Sequence, residues 1–389
     1  MNRPKICIVG LKCYDLIAGA EMPRFIGGIE TQLVLLAKGL LDEGSDVSLI
    51  VYDQGQAPEE IVDGVKVLKA YDLSGGIRGF RWIDRARSLW AAMRRADADI
   101  YLQMGAGVET GLVGLGCNRV GTSRRHFIYC LASDLDYSDM LSRGRLGWEG
   151  KAYLWGLRRA DLVVAQTERQ RQGLQKAVGV NALVMPMAAP HPVPTAPASN
   201  GEHNSRRVLW VGRAAKEKRL EWLLELARHC PEFQFQVIGT ANSNTEYATR
   251  VLGEARQVPN LELVGRVAGQ DMHAVYQNAR ILCNTSIREG FPTTFLEAWS
   301  YGLPVVTTFD PDDIVARNGL GRVSSTVNDQ ANALRELHAD SEAYGRISQA
   351  AKSYYNENHA ISAVSRRFRV VFDVMLGQRQ PVNECAVYV

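Results

Sequence analysis

The residues in this sequence that are best suited to chemistry are two carboxylates with seven residues between them. Glu289 lies in a predicted loop after the apolar run 280–284, and Glu297 lies in a helix that Pro292 is expected to open. The start of a helix offers free N–H groups and partial positive charge, which favour a phosphate. A carboxylate beside such a site accepts hydrogen bonds from hydroxyls, because its own charge opposes the phosphate. The pair therefore predicts a ligand that carries both phosphate and a polyol; from these residues alone, the alternative is a loop glutamate and a solvated helix glutamate.

Two cations follow another predicted strand, residues 208–211. Arg213 comes directly after Gly212, and Lys218 stands five residues further on at a predicted helix start. The carboxyl ends of the strands in an open α/β sheet face the crevice where ligands bind. A guanidinium can hold a diphosphate bidentately and an ammonium can act as a point charge, so both suit a diphosphate leaving group. A solvated basic loop is the alternative from these residues alone.

The elements that must position these side chains form a strand, a loop, a helix and a second strand. The strands are expected at 280–284 and 305–308, with Gly302 in the left-handed position that ends the helix. Phe295 and Trp299 share a helix face that is expected to pack inward.

This segment resembles a known signature. Residues 288–304 are similar to the Glu-x7-Glu region of the retaining glycosyltransferases of family 4, which are two-domain enzymes of the GT-B fold; the likeness includes Gly-Phe-Pro, Glu-Ala and Gly-x-Pro-Val-Val. The Gly-Arg-x4-Lys at 212–218 resembles the motif that the family carries at this place. The resemblance implies transfer of a sugar from a nucleotide-diphosphate sugar to an acceptor hydroxyl, with retention of anomeric configuration.

The resemblance also implies roles for individual residues. Arg213 and Lys218 would hold the diphosphate, Glu289 the sugar hydroxyls and Glu297 the ribose. The other donor-binding residues that it implies are Gly27, Gly28, Gly265, Gly290, Phe291, Thr293 and Thr294. No metal ion is expected, because the two cations and the helix start supply positive charge, and no cofactor is expected beyond the donor substrate.

The chain departs from the family pattern after the predicted strand 126–130. The better-known family members have a His there that contacts the transferred sugar, whereas this chain has Ala132-Ser133-Asp134. Asp134 is the candidate for the catalytic contact of the first domain. Three Asp-x-Asp patterns occur, including Asp134 with Asp136, and about one is expected by chance, so they are a weak metal signal.

The fold class that these patterns predict is α/β, with two doubly wound Rossmann-like domains facing a cleft (GT-B). Residues 1–188 are expected to form the acceptor-side domain, and the proline-rich residues 189–206 a linker. Residues 207–360 are expected to bind the nucleotide sugar. Residues 361–389 are expected to form a helix and tail that pack back on the first domain.

The composition is that of a soluble globular protein, with 46% hydrophobic and 22% charged residues. The net charge of +3 does not by itself imply nucleic acid. The seven cysteines show no Cys-x-x-Cys and no framework spacing, which favours reduced thiols in a cytoplasmic protein. No apolar run approaches the length of a membrane span.

The segment 78–95 carries six arginines against one aspartate. A basic helix with aromatic residues can lie on an anionic membrane, and a second basic run, 143–159, contains Trp148 and Trp155. This would suit a lipid-linked glycan as the acceptor, although a carbohydrate acceptor fits equally well. The alternatives are a helix packed on the sheet with a solvated arginine face, and nucleic-acid binding, which no fold motif supports. The two faces of the predicted helix are Ile83, Ala86, Leu89, Trp90 and Met93 on one side and Arg81, Arg85 and Arg95 on the other.

Three other classes of protein share part of this pattern. A two-lobed sugar- or nucleotide-binding protein without transferase activity normally has a secretory signal, whereas residues 5–10 read as a first strand. A nicotinamide-dependent oxidoreductase would need the dinucleotide fingerprint, which the glycine-rich run 105–111 lacks. That run is expected to serve close helix–strand packing. A nucleotide-sugar epimerase of the same fold would not need both motifs.

Overall fold

The computed structural model describes residues 3–20, 24–25, 27–73, 75, 81–118, 125–138, 147–189, 206–239, 245–269 and 271–379. The chain divides into two compact units. The first runs to Ala188 and resumes at Ile361, and the second comprises Ala189–Ala360. Each unit is built around one sheet, as the two predicted Rossmann-like domains require.

The sheet of the first unit has eight strands in the order β3-β4-β2-β1-β5-β6-β7-β8. All neighbours pair in parallel except β3 and β4. Most of these strands are continuous apolar runs, as expected for a parallel sheet covered on both faces. The strands are β1 (Lys5–Val9), β2 (Asp46–Val51), β3 (Glu59–Val62), β4 (Val65–Lys69), β5 (Ile100–Met104), β6 (His126–Cys130), β7 (Leu162–Ala165) and β8 (Leu183–Val184).

The antiparallel pair β3–β4 is a hairpin that the sequence analysis did not predict. Its turn is Asp63-Gly64, and both residues have positive φ, 49° and 80°. A two-residue turn of this kind matches the twist of antiparallel strands. β3 lies at the edge of the sheet and is half exposed, so it lacks the apolar run that identified the other strands.

The second unit has a sheet of six parallel strands in the order β11-β10-β9-β12-β13-β14. The order changes direction between β9 and β12, because β10 and β11 extend the sheet to one side and the later strands extend it to the other. Such a switch point is where open α/β sheets bind ligands. The strands are β9 (Arg207–Val211), β10 (Gln234–Ile238), β11 (Leu261–Gly265), β12 (Ile281–Asn284), β13 (Val305–Thr307) and β14 (Gly321–Val323).

Helices cover both sheets. Those with described ends are α1 (Tyr14–Ile17), α2 (Gly28–Asp42), α3 (Arg81–Ala96), α4 (Val108–Cys117), α5 (Trp148–Leu157), α6 (Glu168–Val178), α7 (Leu220–His229), α8 (Glu246–Ala255), α9 (Met272–Asn278), α10 (Thr293–Ser300), α11 (Ile314–Arg317), α12 (Val327–Ala339), α13 (Ser341–Asn358) and α14 (Ile361–Met375).

The first sheet has one apolar core on each face. Leu33 and Leu40 of α2 share a core with Phe368 of α14, while α3, α4 and α5 contribute to the other core. Helix α14 lies directly against α2, because a Cβ on Gly39 would overlap Ser365, and Arg369 donates a hydrogen bond to a carbonyl oxygen at the end of α2. The last described helix of the chain therefore packs within the first unit.

Gly111, the last glycine of the run 105–111, lies where α4 and α5 pack closely. A Cβ on Gly111 would come within 2.6 Å of the carbonyl oxygen of Ala152 on α5, and Gly156 approaches α4 just as closely. The prediction of close packing was therefore right, but the partner of this run is a helix and not a strand.

The predicted strand, loop, helix and strand around residues 280–308 are confirmed as β12, α10 and β13. Phe295 and Trp299 are fully buried, as their shared helix face predicted. Gly302 has a φ of +74°, and a side chain there would also collide with Lys352 and Ser348. The helix therefore ends where the sequence indicated.

Candidate functional site

Three neighbouring strands of the second sheet end in glycines. The N–H of Gly212, after β9, donates to Ile238 over 3.0 Å, and the N–H of Gly239, after β10, donates to Gly265 over 2.7 Å. Gly239 has a φ of +126°, and a Cβ there would overlap the carbonyl oxygen of Gly212. Only glycine fits this position. Gly212 and Gly265 stand in motifs that the sequence made visible, whereas the one sequence signal of Gly239 was its place directly after an apolar run.

Lys218 and Glu289 are in direct contact. Lys218 ends the short 3-10 helix Lys216–Lys218 that follows β9, and Glu289 lies in the loop between β12 and α10. Lys218 Nζ donates to Oε1 of Glu289, and Ser286 Oγ donates to the same oxygen over 2.6 Å. The two side chains are 19% and 15% exposed. Within the described chain, Oε2 of Glu289 has no hydrogen-bond partner, so it can accept a bond from a ligand hydroxyl.

The loop that carries Glu289 is tied to the turn that carries Lys218. The N–H of Ile287 donates to the carbonyl oxygen of Glu217 over 2.9 Å, and Thr285 Oγ1 donates to that of Lys218 over 2.6 Å. Arg219 Nε donates to the carbonyl oxygen of Thr285 over 2.7 Å. These bonds join two segments about seventy residues apart in sequence, and they bring Lys218 to Glu289.

Arg219 is held in an unusual backbone conformation. Its φ of +47° is in the left-handed region, which is uncommon for a residue with a side chain. The guanidinium also donates to Thr308 Oγ1 over 2.9 Å and stacks 3.7 Å from the centre of the Trp222 ring. These contacts stabilise a strained residue directly beside Lys218, which is the kind of place where backbone strain accompanies function.

Arg213 lies at the same strand end, but its side chain is more loosely held. It is 57% exposed, and its Nη2 atom lies 3.6 Å from Oε1 of Glu217. Exposed pairs of this kind contribute at most about 1 kcal/mol. The guanidinium can therefore exchange Glu217 for a phosphate at little cost.

Glu297 is held by Tyr276, which the sequence analysis missed. The Tyr276 hydroxyl on α9 donates to Oε2 of Glu297. The ring of Tyr301 stacks on Tyr276, with 5.4 Å between centroids and 12° between planes, and the Tyr301 hydroxyl is hydrogen-bonded to His273 over 2.8 Å. Burial raises the pKa of the Glu297 carboxyl, and the bond from Tyr276 opposes that rise. No sequence pattern linked α9 to Glu297.

The start of α10 contains the other donor residues predicted in this region. Phe291 is 8% exposed and packs edge-on against Trp299. Pro292 precedes the first helical residue, Thr293, and does not itself open the helix. The N–H groups of Thr293 and Thr294 have no acceptor within the helix. They can therefore donate to an anion, and Gly290 lies in the loop just before them.

In the first unit, Gly27 and Gly28 open α2 as predicted. A Cβ on Gly27 would lie 2.6 Å from Oε2 of Glu30, so the Glu30 carboxylate folds over the start of this helix. The negative charge of that carboxylate would repel an anion at the start of the helix. The donor-binding role of the glycine pair stays a prediction, and Glu30 would have to move aside for it.

The two carboxylates after β6 differ in environment. Asp136 is buried, accepts bonds from the Ala132 N–H over 2.7 Å and the Tyr129 hydroxyl over 3.3 Å, and burial raises its pKa. Asp134 is partly exposed, with Oδ2 3.4 Å from Nε of Arg169. Asp136 therefore shapes the turn, and Asp134 is the more accessible carboxylate. Over the described ranges, no three His, Cys, Asp or Glu side chains are grouped for a metal ion.

Arg85 and Arg95 of the basic helix α3 have partners within the protein. On its predicted apolar face Ala86, Leu89 and Met93 are buried, and Ile83 and Trp90 are partly buried. Arg85 donates to the carbonyl oxygen of Leu73, and Arg95 donates to those of Pro58 and Lys69. Carbonyl oxygens of the adjoining loop and hairpin therefore bind these two guanidinium groups, and contact of this helix with a membrane stays a prediction. Residues 78–80 of this segment lie outside the described residues, as does the side chain of Arg81.

Helix α5 keeps an exposed basic and aromatic face. Trp148 is 59% and Trp155 is 38% exposed, and two helical turns separate them, so they share a side. Arg159 stacks 4.6 Å from the centre of the Trp155 ring, and Lys151 is exposed. No helix in the described part of the chain has both the length and the apolar character to cross a membrane. The predicted start of this basic run, 143–146, lies outside the described residues.

The fold has close counterparts among solved structures. Sucrose-phosphate synthase from Thermosynechococcus elongatus matches with a TM-score of 0.75 at 15% identity, over 97% of this chain and 100% of that one. HepE from Anabaena, solved in complex with UDP and glucose, matches with a TM-score of 0.71 at 15% identity, over 95% of this chain and 100% of that one. The two Rossmann-like sheets, of eight and six strands, are those of the GT-B fold.

The family follows from matches to both units. The model "Glycosyltransferase Family 4" matches residues 26–186, and "Glycosyl transferases group 1" matches residues 205–340. The chain belongs to glycosyltransferase family 4. The GtfA subunit of a UDP-N-acetylglucosamine–peptide N-acetylglucosaminyltransferase from Streptococcus pneumoniae is 23% identical over 155 residues, which are 38% of this chain and 30% of that relative. The chain thus matches less than a third of that relative's length.

Proposed function

We propose that this protein is a retaining, metal-independent hexosyltransferase. It moves a sugar from a nucleotide-diphosphate sugar to an acceptor hydroxyl, in the biosynthesis of a polysaccharide or glycolipid. Family membership supports the reaction class, and the UDP and glucose bound by HepE support a UDP-hexose as the first donor to test. The single observation that carries the proposal is the contact between Lys218 and Glu289, beside the strands that end in glycines. This contact places a cation suited to the diphosphate next to a carboxylate that can accept a hydrogen bond from the sugar.

In this account the donor binds at the strand ends of the second unit. Lys218 and Arg213 face the diphosphate, and the N–H groups at the start of α10 add partial positive charge. Glu289 accepts a hydrogen bond from a sugar hydroxyl through Oε2, and Glu297 accepts bonds from the ribose through Oε1. Each carboxylate uses its other oxygen to bond with the protein itself.

The reaction breaks the bond between the anomeric carbon and the diphosphate oxygen, and the electron pair goes to the diphosphate. The acceptor oxygen then bonds to the anomeric carbon on the face that the diphosphate leaves, and the acceptor proton passes to the departing phosphate oxygen. Negative charge therefore grows on the diphosphate in the transition state. Lys218 and Arg213 stabilise that charge, which is the contribution expected of preorganised cations.

We further infer that the acceptor is a carbohydrate or a lipid-linked glycan, and that α5 touches an anionic membrane. Trp148 and Trp155 expose apolar rings on one side of α5, with Lys151 and Arg159 next to them. Aromatic rings with cations beside them suit the interface of an anionic bilayer. Asp134 stays the candidate in the first unit for a contact with the transferred sugar.

A panel of UDP- and GDP-sugars tests the proposal. A true donor raises the melting temperature by mass action, with about 2.7 kcal/mol of stabilisation at one hundred times its Kd. The shift should exceed that of the free nucleoside diphosphate, and Glu289→Gln should remove the excess while Lys216→Ala keeps it. Release of nucleoside diphosphate from the selected donor is then measured with carbohydrate and lipid-linked acceptors. No shift and no release across the panel contradicts the proposal, and an epimerised donor would indicate an epimerase instead.

A further inference from the structure

Tyr276 is the side chain that holds Glu297. It lies on α9, is 2% exposed, and donates its hydroxyl hydrogen to Oε2 of Glu297 on α10. Within the described residues no other side chain bonds to this carboxylate, and Oε1 has no partner. One residue from a separate helix therefore decides how the Glu297 carboxylate is turned.

The bond from Tyr276 is of a different kind from that of another buried tyrosine in the same unit. Tyr355 is 1% exposed and donates to the carbonyl oxygen of Ala189 over 3.0 Å, which satisfies a buried hydroxyl without involving a charge. Tyr276 instead donates to an ionisable carboxylate, and charge-assisted bonds are about twice as strong as neutral ones. Satisfying the phenol alone would not require Glu297.

The Tyr276 ring is itself held by a second aromatic residue. Tyr301 stacks on it nearly parallel, and His273 bonds the Tyr301 hydroxyl. A buried and stacked ring cannot turn freely, so its hydroxyl points in one direction. The carboxylate of Glu297 inherits that direction through the hydrogen bond.

We propose that Tyr276 is a positioning residue for the nucleotide, because its hydroxyl fixes Oε2 of Glu297 and so directs Oε1 to the ribose hydroxyls. The inference rests on the proposed function and deepens it by adding a residue outside the Glu-x7-Glu segment. The same bond has a second effect. Burial raises the pKa of Glu297, and the Tyr276 hydroxyl lowers it, so Tyr276 also keeps the carboxylate charged toward lower pH.

The sign of the pH effect follows from these two influences. Ribose binding uses the charged carboxylate, so affinity falls as pH drops through the pKa of Glu297. Removal of the Tyr276 hydroxyl leaves burial unopposed, raises this pKa and moves the loss of affinity to higher pH. The other titratable groups in this cluster are Tyr301 and His273.

The test is calorimetric titration of wild type, Tyr276→Phe and Tyr355→Phe with UDP and with GDP between pH 5 and pH 8. At neutral pH, Tyr276→Phe should bind whichever nucleotide the wild type binds about tenfold more weakly, the equivalent of one hydrogen bond to a charged group. The acid limb of its affinity profile, which is the pH range where affinity falls as pH drops, should move to higher pH. Tyr355→Phe should keep both the affinity and the acid limb of the wild type, because its hydroxyl donates to the carbonyl oxygen of Ala189 and not to Glu297.

A double-mutant cycle separates positioning from general destabilisation. In a Glu297→Gln background, Tyr276→Phe should change affinity less than twofold, because the carboxylate that it positions is gone. A loss that persists at full size in that background overturns the inference. A Tyr276→Phe protein with wild-type affinity and acid limb overturns it as well.

A second variant avoids any question of folding. Replacement of Tyr276 by 3-fluorotyrosine retains the ring and makes the hydroxyl a stronger donor, so the acid limb should move to lower pH. An unmoved limb argues against the inference even if Tyr276→Phe fails to fold.

Wild-type protein that binds neither UDP nor GDP refutes the proposed function, and this inference with it. Wild-type binding that Glu297→Gln weakens and both Tyr276 variants leave unchanged refutes only the inference.

Discussion

Replacement of Lys218 by alanine is expected to lower turnover far more than any other single change in its turn. Lys218 Nζ contacts Glu289, and both side chains are largely shielded from water. The substitution removes the cation that we propose stabilises the diphosphate. It also leaves Ser286 as the remaining hydrogen-bond donor, within the described residues, to the Glu289 carboxylate.

The expected loss of turnover and the expected loss of folding stability have different physical origins. A preorganised donor or cation that acts on the charge developing in the transition state contributes about 2.7–4 kcal/mol, which corresponds to a loss of about 10²–10³ in kcat. The pairing energy of two charges about 4 Å apart is about 4 kcal/mol at an effective dielectric constant near 20. Lys218→Ala should lower the free energy of unfolding by less than this pairing energy, by about 1–3 kcal/mol. Water can enter the space that the lysine side chain vacates and partly solvate Glu289.

Steady-state release of nucleoside diphosphate from the selected donor measures the effect, and thermal unfolding measures the change in stability. Lys216→Ala is the matched control, since Lys216 lies in the same 3-10 helix with an exposed side chain. It should retain wild-type turnover. The reasoning fails if Lys218→Ala keeps kcat within threefold of wild type, or if Lys216→Ala loses as much.

Three further outcomes are expected. Turnover should survive EDTA, and a complete loss that Mg²⁺ or Mn²⁺ restores would move the chemistry to Asp134 and Asp136. Arg219→Gly should relieve the strain at positive φ while losing the bonds of the guanidinium, so kcat should fall about tenfold with little change in melting temperature; unchanged kcat would mean that Arg219 does not position Lys218. Wild type should sediment with anionic vesicles at low salt, and the Trp148→Ser/Trp155→Ser double variant should not; equal sedimentation of both proteins would leave α5 without a membrane role.

The elements around Glu289 were predictable because their signals are local. An apolar run, a proline and a glycine mark β12, the start of α10 and its end, and each signal acts within a few residues of the feature that it specifies. The Glu-x7-Glu and Gly-Arg-x4-Lys segments lie seventy residues apart in sequence, and only the family resemblance suggested that Lys218 and Glu289 meet.

The features that the sequence did not reveal depend on contacts between distant segments. Tyr276 reaches Glu297 from another helix, and nothing in the spacing of α9 distinguishes it from other packed tyrosines. Glu30 covers the start of α2 by folding back on Gly27, which is a choice of side-chain rotamer. The partners of Arg95 were not predicted, because the hairpin β3–β4 beside which they lie was itself not predicted.

The division of labour between the two carboxylates is the central claim, and titration of Glu289→Gln and Glu297→Gln with free UDP or GDP tests it most directly. The free nucleotide has a ribose and a diphosphate but no transferred sugar. Glu297→Gln should therefore weaken its binding by about 1–3 kcal/mol, as expected for a lost charge-assisted bond. Glu289→Gln should bind it with nearly wild-type affinity while losing turnover. Unchanged affinity in Glu297→Gln together with a large loss in Glu289→Gln would contradict the account and reverse the two roles.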